Sequence, residues 1–434
     1  MKRPEFEVIG DQYRFHWADV EITAQLVRLE DRRGDLSGEI TLKSYRPEYE
    51  GLLHQAKFNL SSTTARKTLA KALQERVEAV DWMSLLEQVC FLSLERYRKG
   101  EPLIDLREVQ VQERARWLLE PFLDYGGPTV LYADGGTGKS MFGLAVAVSV
   151  ASGERLVTDK GPDRPQPVWY MDWEASKYDH AERLKAIYRG WTIDPEQTHP
   201  IYYTRETSSL HERAGEARTQ IADLRIGLVV VDSAAAARGG EPESAEVTLR
   251  MFNACRMLNC PVLIIDHITK SQEGKQDKPF GSVYTHNMSR LMWKMERGNH
   301  SEEPGELDTI LLTNTKANNG PLKGRLAFKI HFDMDPADAS RLLLVGYQRT
   351  DHRGEESLIG SLSHRDKIAI VLRDGDRKTA EICADLWERG VKVANDTVKS
   401  TLFKEQSRRR GEPLWKRVSG MGKDSVWSLN RGAV

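Results

Sequence analysis

Residues 133–140, Ala133-Asp134-Gly135-Gly136-Thr137-Gly138-Lys139-Ser140, decide how the rest of the chain is read. They follow Thr129-Val130-Leu131-Tyr132, a short apolar run that reads as a buried strand. They precede Met141 to Ala151, an apolar run that reads as a helix. A glycine-rich loop between strand and helix turns successive backbone N–H groups into one concavity. That concavity sits at the positive end of the helix, which suits phosphate. The expected nucleotide-binding set is Asp134, Gly135, Gly136, Thr137, Gly138, Lys139, Ser140 and Met141. Lys139 is placed to reach the β- and γ-phosphates of ATP, and Ser140 to ligate Mg²⁺. The pattern G-x-x-x-x-G-K-[ST] is met except at its first position, where Ala133 stands.

Three apolar runs further along end in polar side chains. Ile226-Gly227-Leu228-Val229-Val230-Val231-Asp232-Ser233 puts Asp232 at the carboxyl end of a strand, the edge where open α/β sheets bind ligands. An acid there can hold Mg²⁺, so Ser140 and Asp232 form the expected metal pair. Val168-Trp169-Tyr170-Met171-Asp172-Trp173-Glu174 brings two more acids to the same edge. Glu174 is the better candidate to activate a water against the γ-phosphate, and Asp172 competes for the role. Pro261 to Asp266 leads into His267, a candidate hydrogen-bond donor to that phosphate.

Composition sets limits. A chain of 434 residues with 40% hydrophobic content can bury a sizeable core and divide into several domains. No apolar run reaches the roughly 18 residues that span a membrane, so no membrane partner is expected. The N-terminus lacks the apolar stretch of a secretory leader, and Cys90, Cys255, Cys260 and Cys383 form no C-x-x-C pair. A reducing cytoplasm is the expected setting. Net charge is −1, but residues 364–434 hold 16 Lys and Arg against 10 Asp and Glu, a local +6 on a body of −7. A basic tail on an acidic body fits a polyanion contact at that end; ordinary surface charge serves equally.

Organisation follows the patterning. Residues 1–103 read as a small α+β module: a strand over Tyr13–Arg28, a turn at Asp31–Asp35, a return strand over Gly38–Ser44, and helices from Ser62 and from Asp81. No chemistry stands out in it. Residues 104–348 alternate strands with amphipathic helices, the mark of a parallel sheet with crossover helices. The expected strands are Thr129–Ala133, Val168–Asp172, Ile201–Thr204, Gly227–Asp232, Pro261–Asp266 and Thr309–Asn314, with a charged helix over Ser176–Arg189. Residues 349–363 are polar and glycine-containing, a candidate linker, and 364–434 form a last domain.

Together these motifs resemble the RecA-like ATPases, and within them the hexameric plasmid-type RepA helicases, relatives of the DnaB helicases. The resemblance covers about Glu101 to Tyr347. Asp266-His267-Ile268-Thr269-Lys270, Phe280-Gly281-Ser282 with Asn287 and Arg290, and Thr315-Lys316-Ala317-Asn318-Asn319-Gly320 add to it. It implies an ATP site between subunits of a homo-oligomer, a hexamer being favoured. There Lys316, and second to it Arg290, would act across the interface on a neighbour's γ-phosphate. The expected catalytic set is thus Lys139, Glu174, His267 and Lys316. DnaB-type proteins carry K-x-R where this chain has Lys316-Ala317-Asn318, and the family often has two histidines where it has Asp266-His267. Lys270, Lys275 and Lys278 fit either a channel loop touching single-stranded DNA or a plain surface loop.

The tail resembles a winged helix, with helices over Asp366–Leu372, from Thr379 and from Asn395 or Asp396, and strands Leu414–Val418 and Ser425–Leu429. Lys399, Lys404, Arg408, Arg409, Arg410 and Lys423 are its candidate DNA-binding residues, with duplex DNA as the partner. Winged helices also serve as protein-interaction modules. The expected fold is therefore α/β: a RecA-like P-loop NTPase core with an N-terminal α+β module and a C-terminal winged helix. The implied function is an ATP-driven DNA helicase or translocase in replication of a plasmid, phage or other mobile element. The alternative is a DNA-binding regulator or defence sensor whose ATPase is a switch. A small-molecule kinase leaves the basic tail unexplained.

Overall fold

The computed structural model describes residues 2–10, 12–99, 103–109, 117–241, 243–268, 283–298, 308–352, 355–407, 412–421 and 424–430. They fall into two units.

Period-two alternation builds the first unit. A five-stranded antiparallel meander runs β1 (Glu5–Ile9), β2 (Gln12–Trp17), β3 (Ile22–Arg32), β4 (Asp35–Ser44) and β5 (Gly51–Asn59). Tyr13, Phe15 and Trp17, then Ile22, Ala24 and Leu26, then Leu36, Ile40 and Leu42 bury one face. The strand expected over Tyr13–Arg28 is thus two strands, broken where Glu21 takes a φ of +53°. The β3–β4 hairpin turns at Arg33 and Gly34, φ +57° and +90°, inside the turn expected at Asp31–Asp35. Helices α1 (Thr63–Gln74) and α2 (Trp82–Lys99) share the same core through Leu69, Leu73, Trp82, Leu85, Leu86 and Val89. Ser62 caps α1, its hydroxyl accepting from the Ala65 amide. Asp81 accepts from the Ser84 amide at 3.1 Å at the start of α2. Residues 208–227 and 249–260 also belong to this unit, so its limit is not the one expected at 103.

The second unit holds a nine-stranded mixed sheet. After the short strands β6 (Trp117–Leu119) and β7 (Leu123–Asp124) come β8 (Thr129–Ala133), α3 (Lys139–Ser152), β9 (Val168–Asp172), α4 (Lys177–Gly190) and β10 (Ile201–Arg205). The chain continues through α5 (Leu210–Leu224), which belongs to the first unit, β11 (Leu228–Asp232), α6 (Ala234–Ala237), α7 (Ala245–Leu258), which passes into the first unit at Leu249, β12 (Val262–His267) and α8 (Val283–Met288). It ends the sheet with β13 (Leu291–Arg297), β14 (Asp308–Ala317), β15 (Arg325–Asp335) and β16 (Asp338–Thr350). The order is β10-β9-β11-β12-β8-β13-β14-β15-β16, parallel from β10 to β13 and antiparallel beyond.

Every residue of β8, β9 and β11 is buried, which is why these strands read as unbroken apolar runs. Helix α3 is buried from Phe142 to Ala151, so its apolarity belongs to a core helix. It passes so close to β12 that a Cβ on Gly143 would meet Ile265 Cδ1 at 2.7 Å. No helix of the described residues is long and apolar enough to cross a membrane.

Residues 349–363 are not the open linker that composition suggested. They contain a 3₁₀ turn, Glu356–Ser361, and Leu358, Ile359 and Leu362 are buried against Leu311, Ala327 and Ile368. Burial of such side chains contributes about 1.5–3 kcal/mol each, enough to hold the segment down. Beyond it lie α9 (His364–Arg373), β17 (Arg377–Lys378), α10 (Thr379–Glu388), α11 (Asn395–Gln406), β18 (Trp415–Ser419) and β19 (Val426–Leu429). The three strands form an antiparallel sheet in the order β17-β19-β18 over buried Trp415 and Trp427. Lys378 and Ala394, not Thr379 and Asn395 or Asp396, occupy the cap positions of α10 and α11. Glu405 accepts both guanidinium hydrogen bonds of Arg365, at 2.8 and 2.7 Å, tying α11 to α9.

Candidate functional site

Parallel register carries the polar residues to one edge of the sheet. Asp232 lies opposite Asp172, and His267 opposite Ala133, the last residue before the glycine-rich loop. Gly136 and Gly138 hold φ of +73° and +90°, conformations a side chain would strain. Gly138 is the N-cap of α3 and brings no side-chain cap, so the first amides of the helix face the loop. Thr137 braces the turn by donating to Asp134 O at 2.7 Å. Ala133 departs from glycine at no cost, because its side chain is buried in the core of β8. Met141 is partly buried and packs against that core.

The Lys139 side chain curls back into the loop and is 6% exposed. Its ammonium donates to Ala133 O at 3.1 Å and Asp134 O at 2.8 Å. Burial pushes its pKa down, while Asp232, Glu174, Asp134 and Asp266 pull it back up. A cation held among carbonyls in a low-dielectric pocket gains from an incoming phosphate.

Asp232 is buried beside Ser140. Tyr170 Oη donates to Asp232 Oδ2 at 2.6 Å and to Ser140 O at 3.3 Å, and the Ser140 side chain lies near enough to the Asp232 carboxylate to favour its charged form. Burial raises the Asp232 pKa against the lowering effect of those two side chains. A hydroxyl and a desolvated carboxylate side by side are all-oxygen donors of the kind Mg²⁺ takes when phosphate and water complete its shell. The residues present therefore fit that ion.

The two acids after β9 separate cleanly. Asp172 is 1% exposed and spent: it accepts from Glu174 N at 3.1 Å, Ala175 N at 3.0 Å, His180 Nε2 at 3.1 Å and Tyr203 Oη at 3.2 Å. Burial raises its pKa, and these bonds, led by that of His180, more than reverse the effect. Asp172 thus shapes the loop that presents Glu174. Glu174 is exposed at the edge, accepts from the Ser233 hydroxyl, and has Oε1 3.8 Å from His267 Nε2. Ser233 and Tyr170 were visible as letters but carried no pattern that marked them as partners.

Lys316 is not disposed as expected. Its ammonium donates to the carbonyls of His286, Asn287 and Ser289, closing the C-terminal end of α8 within its own chain. Burial and the nearby Arg290 charge lower its pKa. Arg290 is exposed, and no side-chain hydrogen bond of it appears among the described residues. Lys399 and Lys404 are exposed on α11, opposite buried Val398 and Leu402. Thr269, Lys270, Lys275, Lys278, Phe280, Gly281, Ser282, Arg408, Arg409, Arg410 and Lys423 lie outside the described residues.

Beside residues 134–137 is a cavity of about 390 Å³, walled by Lys294, Glu296 and Arg297 of β13, by Ile268 and by Ser361 of the 3₁₀ turn. Nothing in the sequence pointed to β13 or to Ser361, since both come to the loop only through sheet order and packing.

Residues 97–273 match the family model described as the AAA domain. The glycine-rich loop, the mixed α/β sheet around it and this match are consistent with a P-loop core. No curated protein sequence matches the chain. Among the solved structures similar to part of it are the following two. The RadB recombinase has 18% identity and a TM-score of 0.35, covering 48% of this chain and 89% of its own. A KaiC-like protein from the hyperthermophilic archaeon Pyrococcus horikoshii has 13% identity and a TM-score of 0.36, covering 54% of this chain and 94% of its own.

Proposed function

We propose that the chain is a Mg²⁺-dependent ATPase that drives movement on DNA as a ring, a helicase or translocase of the RepA type. One observation supports the hydrolytic part above others: Lys139, Asp232, Glu174 and His267 converge at the carboxyl ends of adjacent strands. In this reading the loop amides and Lys139 bind the β- and γ-phosphates. Ser140 and Asp232 hold Mg²⁺, which supplies neutralising charge on the phosphate oxygens. The base and ribose lie in the cavity beside β13.

Glu174 takes a proton from water as the water oxygen attacks the γ-phosphorus. The bond from that phosphorus to the β–γ bridging oxygen breaks, leaving ADP and inorganic phosphate. His267, one side chain away from Glu174, registers the γ-phosphate and its loss. Arg290 is the better cation to act on a neighbour, because Lys316 is already held by three carbonyls. The last domain, with its helix, strand, helix, helix, strand, strand order, is read as a winged helix that offers Lys399 and Lys404 to duplex DNA.

A second reading is an ATP-switched DNA-binding regulator. The packed 3₁₀ turn favours it, since Ser361 links the nucleotide cavity to the last domain without a loose tether. The deciding experiment measures ATP hydrolysis with and without single-stranded DNA, with Lys139→Ala as blank. Strong stimulation supports the motor. Hydrolysis indifferent to single strands sinks it and favours the switch.

A further inference from the structure

Arg238 caps the short helix α6 that begins one residue after Ser233. Its side chain is wholly buried, as is that of Asp266, and Nη2 donates to Asp266 Oδ2 at 2.6 Å. The other Asp266 oxygen accepts the backbone N–H of His267 at 2.9 Å. The same guanidinium is 3.4 Å from the Thr285 hydroxyl on α8. Contacts therefore close a ring: Glu174 to Ser233, along α6 to Arg238, across to Asp266, through its neighbour His267, and back to Glu174.

Two features set this pair apart from a device for stability. A buried ion pair is weak evidence of net stabilisation, because desolvation offsets the attraction. Moreover, Arg238 Nε and Nη1 are buried without a hydrogen-bond partner among the described residues. A guanidinium with two donors unpaired among the described residues is a costly way to fill a core, and it calls for a reason beyond packing.

We propose that Arg238 and Asp266 are positioning residues, which hold His267 and Glu174 in register and couple them to α8. Neither touches the reacting atoms. The inference rests on the hydrolytic reading above and adds to it which buried groups set the geometry of the site. Arg238 also joins that geometry to α8, the segment Lys316 closes at its far end.

The test uses the full chain and three variants: Asp266→Asn, Arg238→Lys and the double variant Arg238→Met/Asp266→Leu. Turnover, affinity for a fluorescent ATP analogue and thermal midpoint are read for each. A displacement of about 1 Å at a catalytic group costs on the order of 100-fold in rate. Asp266→Asn should therefore lower kcat by about 100-fold while nucleotide affinity stays within about threefold of wild type. Arg238→Lys, which keeps the charge and loses the fork, should lose less of the rate than Asp266→Asn does. The double variant replaces the pair by apolar groups and should regain the thermal midpoint but not kcat. Wild-type turnover in a folded double variant overturns the inference, as does a loss of affinity in step with the loss of rate. Should wild type itself hydrolyse no faster than Lys139→Ala, the hydrolytic reading fails first, and this inference with it.

Discussion

His267 Nε2 lies 3.8 Å from Glu174 Oε1, although the two residues end different strands and β11 stands between those strands. The same carboxylate accepts from Ser233, the residue after the buried Asp232. The proposed base, the proposed phosphate-facing donor and the residue next to the proposed Mg²⁺ ligand thus meet at one exposed carboxylate. In the proposed mechanism this contact would carry the presence of a γ-phosphate from His267 to Glu174.

Glu174→Gln should reduce ATP turnover by about 10²–10⁴-fold, the usual weight of a positioned general base. Binding of a fluorescent ATP analogue should be unchanged. Turnover near wild type would exclude Glu174 and return attention to Asp172, despite its four hydrogen bonds.

Lys139→Ala removes a charge-assisted contact to phosphate worth about 1.5–3 kcal/mol. Titration calorimetry should show ATP affinity lower by about 10–150-fold, with no hydrolysis left. An unchanged affinity would mean that nucleotide binds elsewhere than at residues 134–140.

Lys316→Ala and Arg290→Ala should part company. The first strips a cation from the end of α8 and should lower the thermal midpoint. The second alters an exposed side chain and should leave the midpoint alone while reducing turnover. If Lys316→Ala melts as wild type does, and its hydrolysis recovers when it is mixed with intact subunits, the action across an interface belongs to Lys316 after all.

Thiol labelling tests the packing. Cys90 and Cys255 are buried, and burial pushes their pKa values up to about 11 and about 12. Cys383 is buried as well, leaving Cys260 partly exposed. At pH 8 the native protein should show one fast-reacting thiol, and Cys260→Ser should remove it. Two or more fast thiols would contradict the core described here.

Charge removal on α11 tests the DNA contact. Lys399→Ala and Lys404→Ala should each weaken duplex binding and reduce the slope of log affinity against log salt by roughly one. A slope that does not move would assign this domain to a protein partner.

Much of the core was legible because its physics is local. Strands β8, β9 and β11 are buried on both faces, so they appear as unbroken apolar runs with ends correct to about a residue. Ser62, Ser176 and Asp81 marked helix starts because capping depends on near neighbours. The strands β13, β15 and β16 went unseen. In β15 only the first half is buried, so a half-covered strand without clean alternation carries no period to read. The linker expected at 349–363 failed for a related reason: Leu358, Ile359 and Leu362 find their core in residues far away in the chain.

The sequence by itself determined the phosphate loop, the acids at the strand ends and the parallel core, because glycine conformation and apolar period are properties of short stretches. Only the tertiary structure decided which acid is exposed, what holds Lys316, and that Arg238 meets Asp266. Those answers depend on which strands become neighbours and on what each side chain loses to water when it is buried. Neither quantity is written in any stretch short enough to read alone.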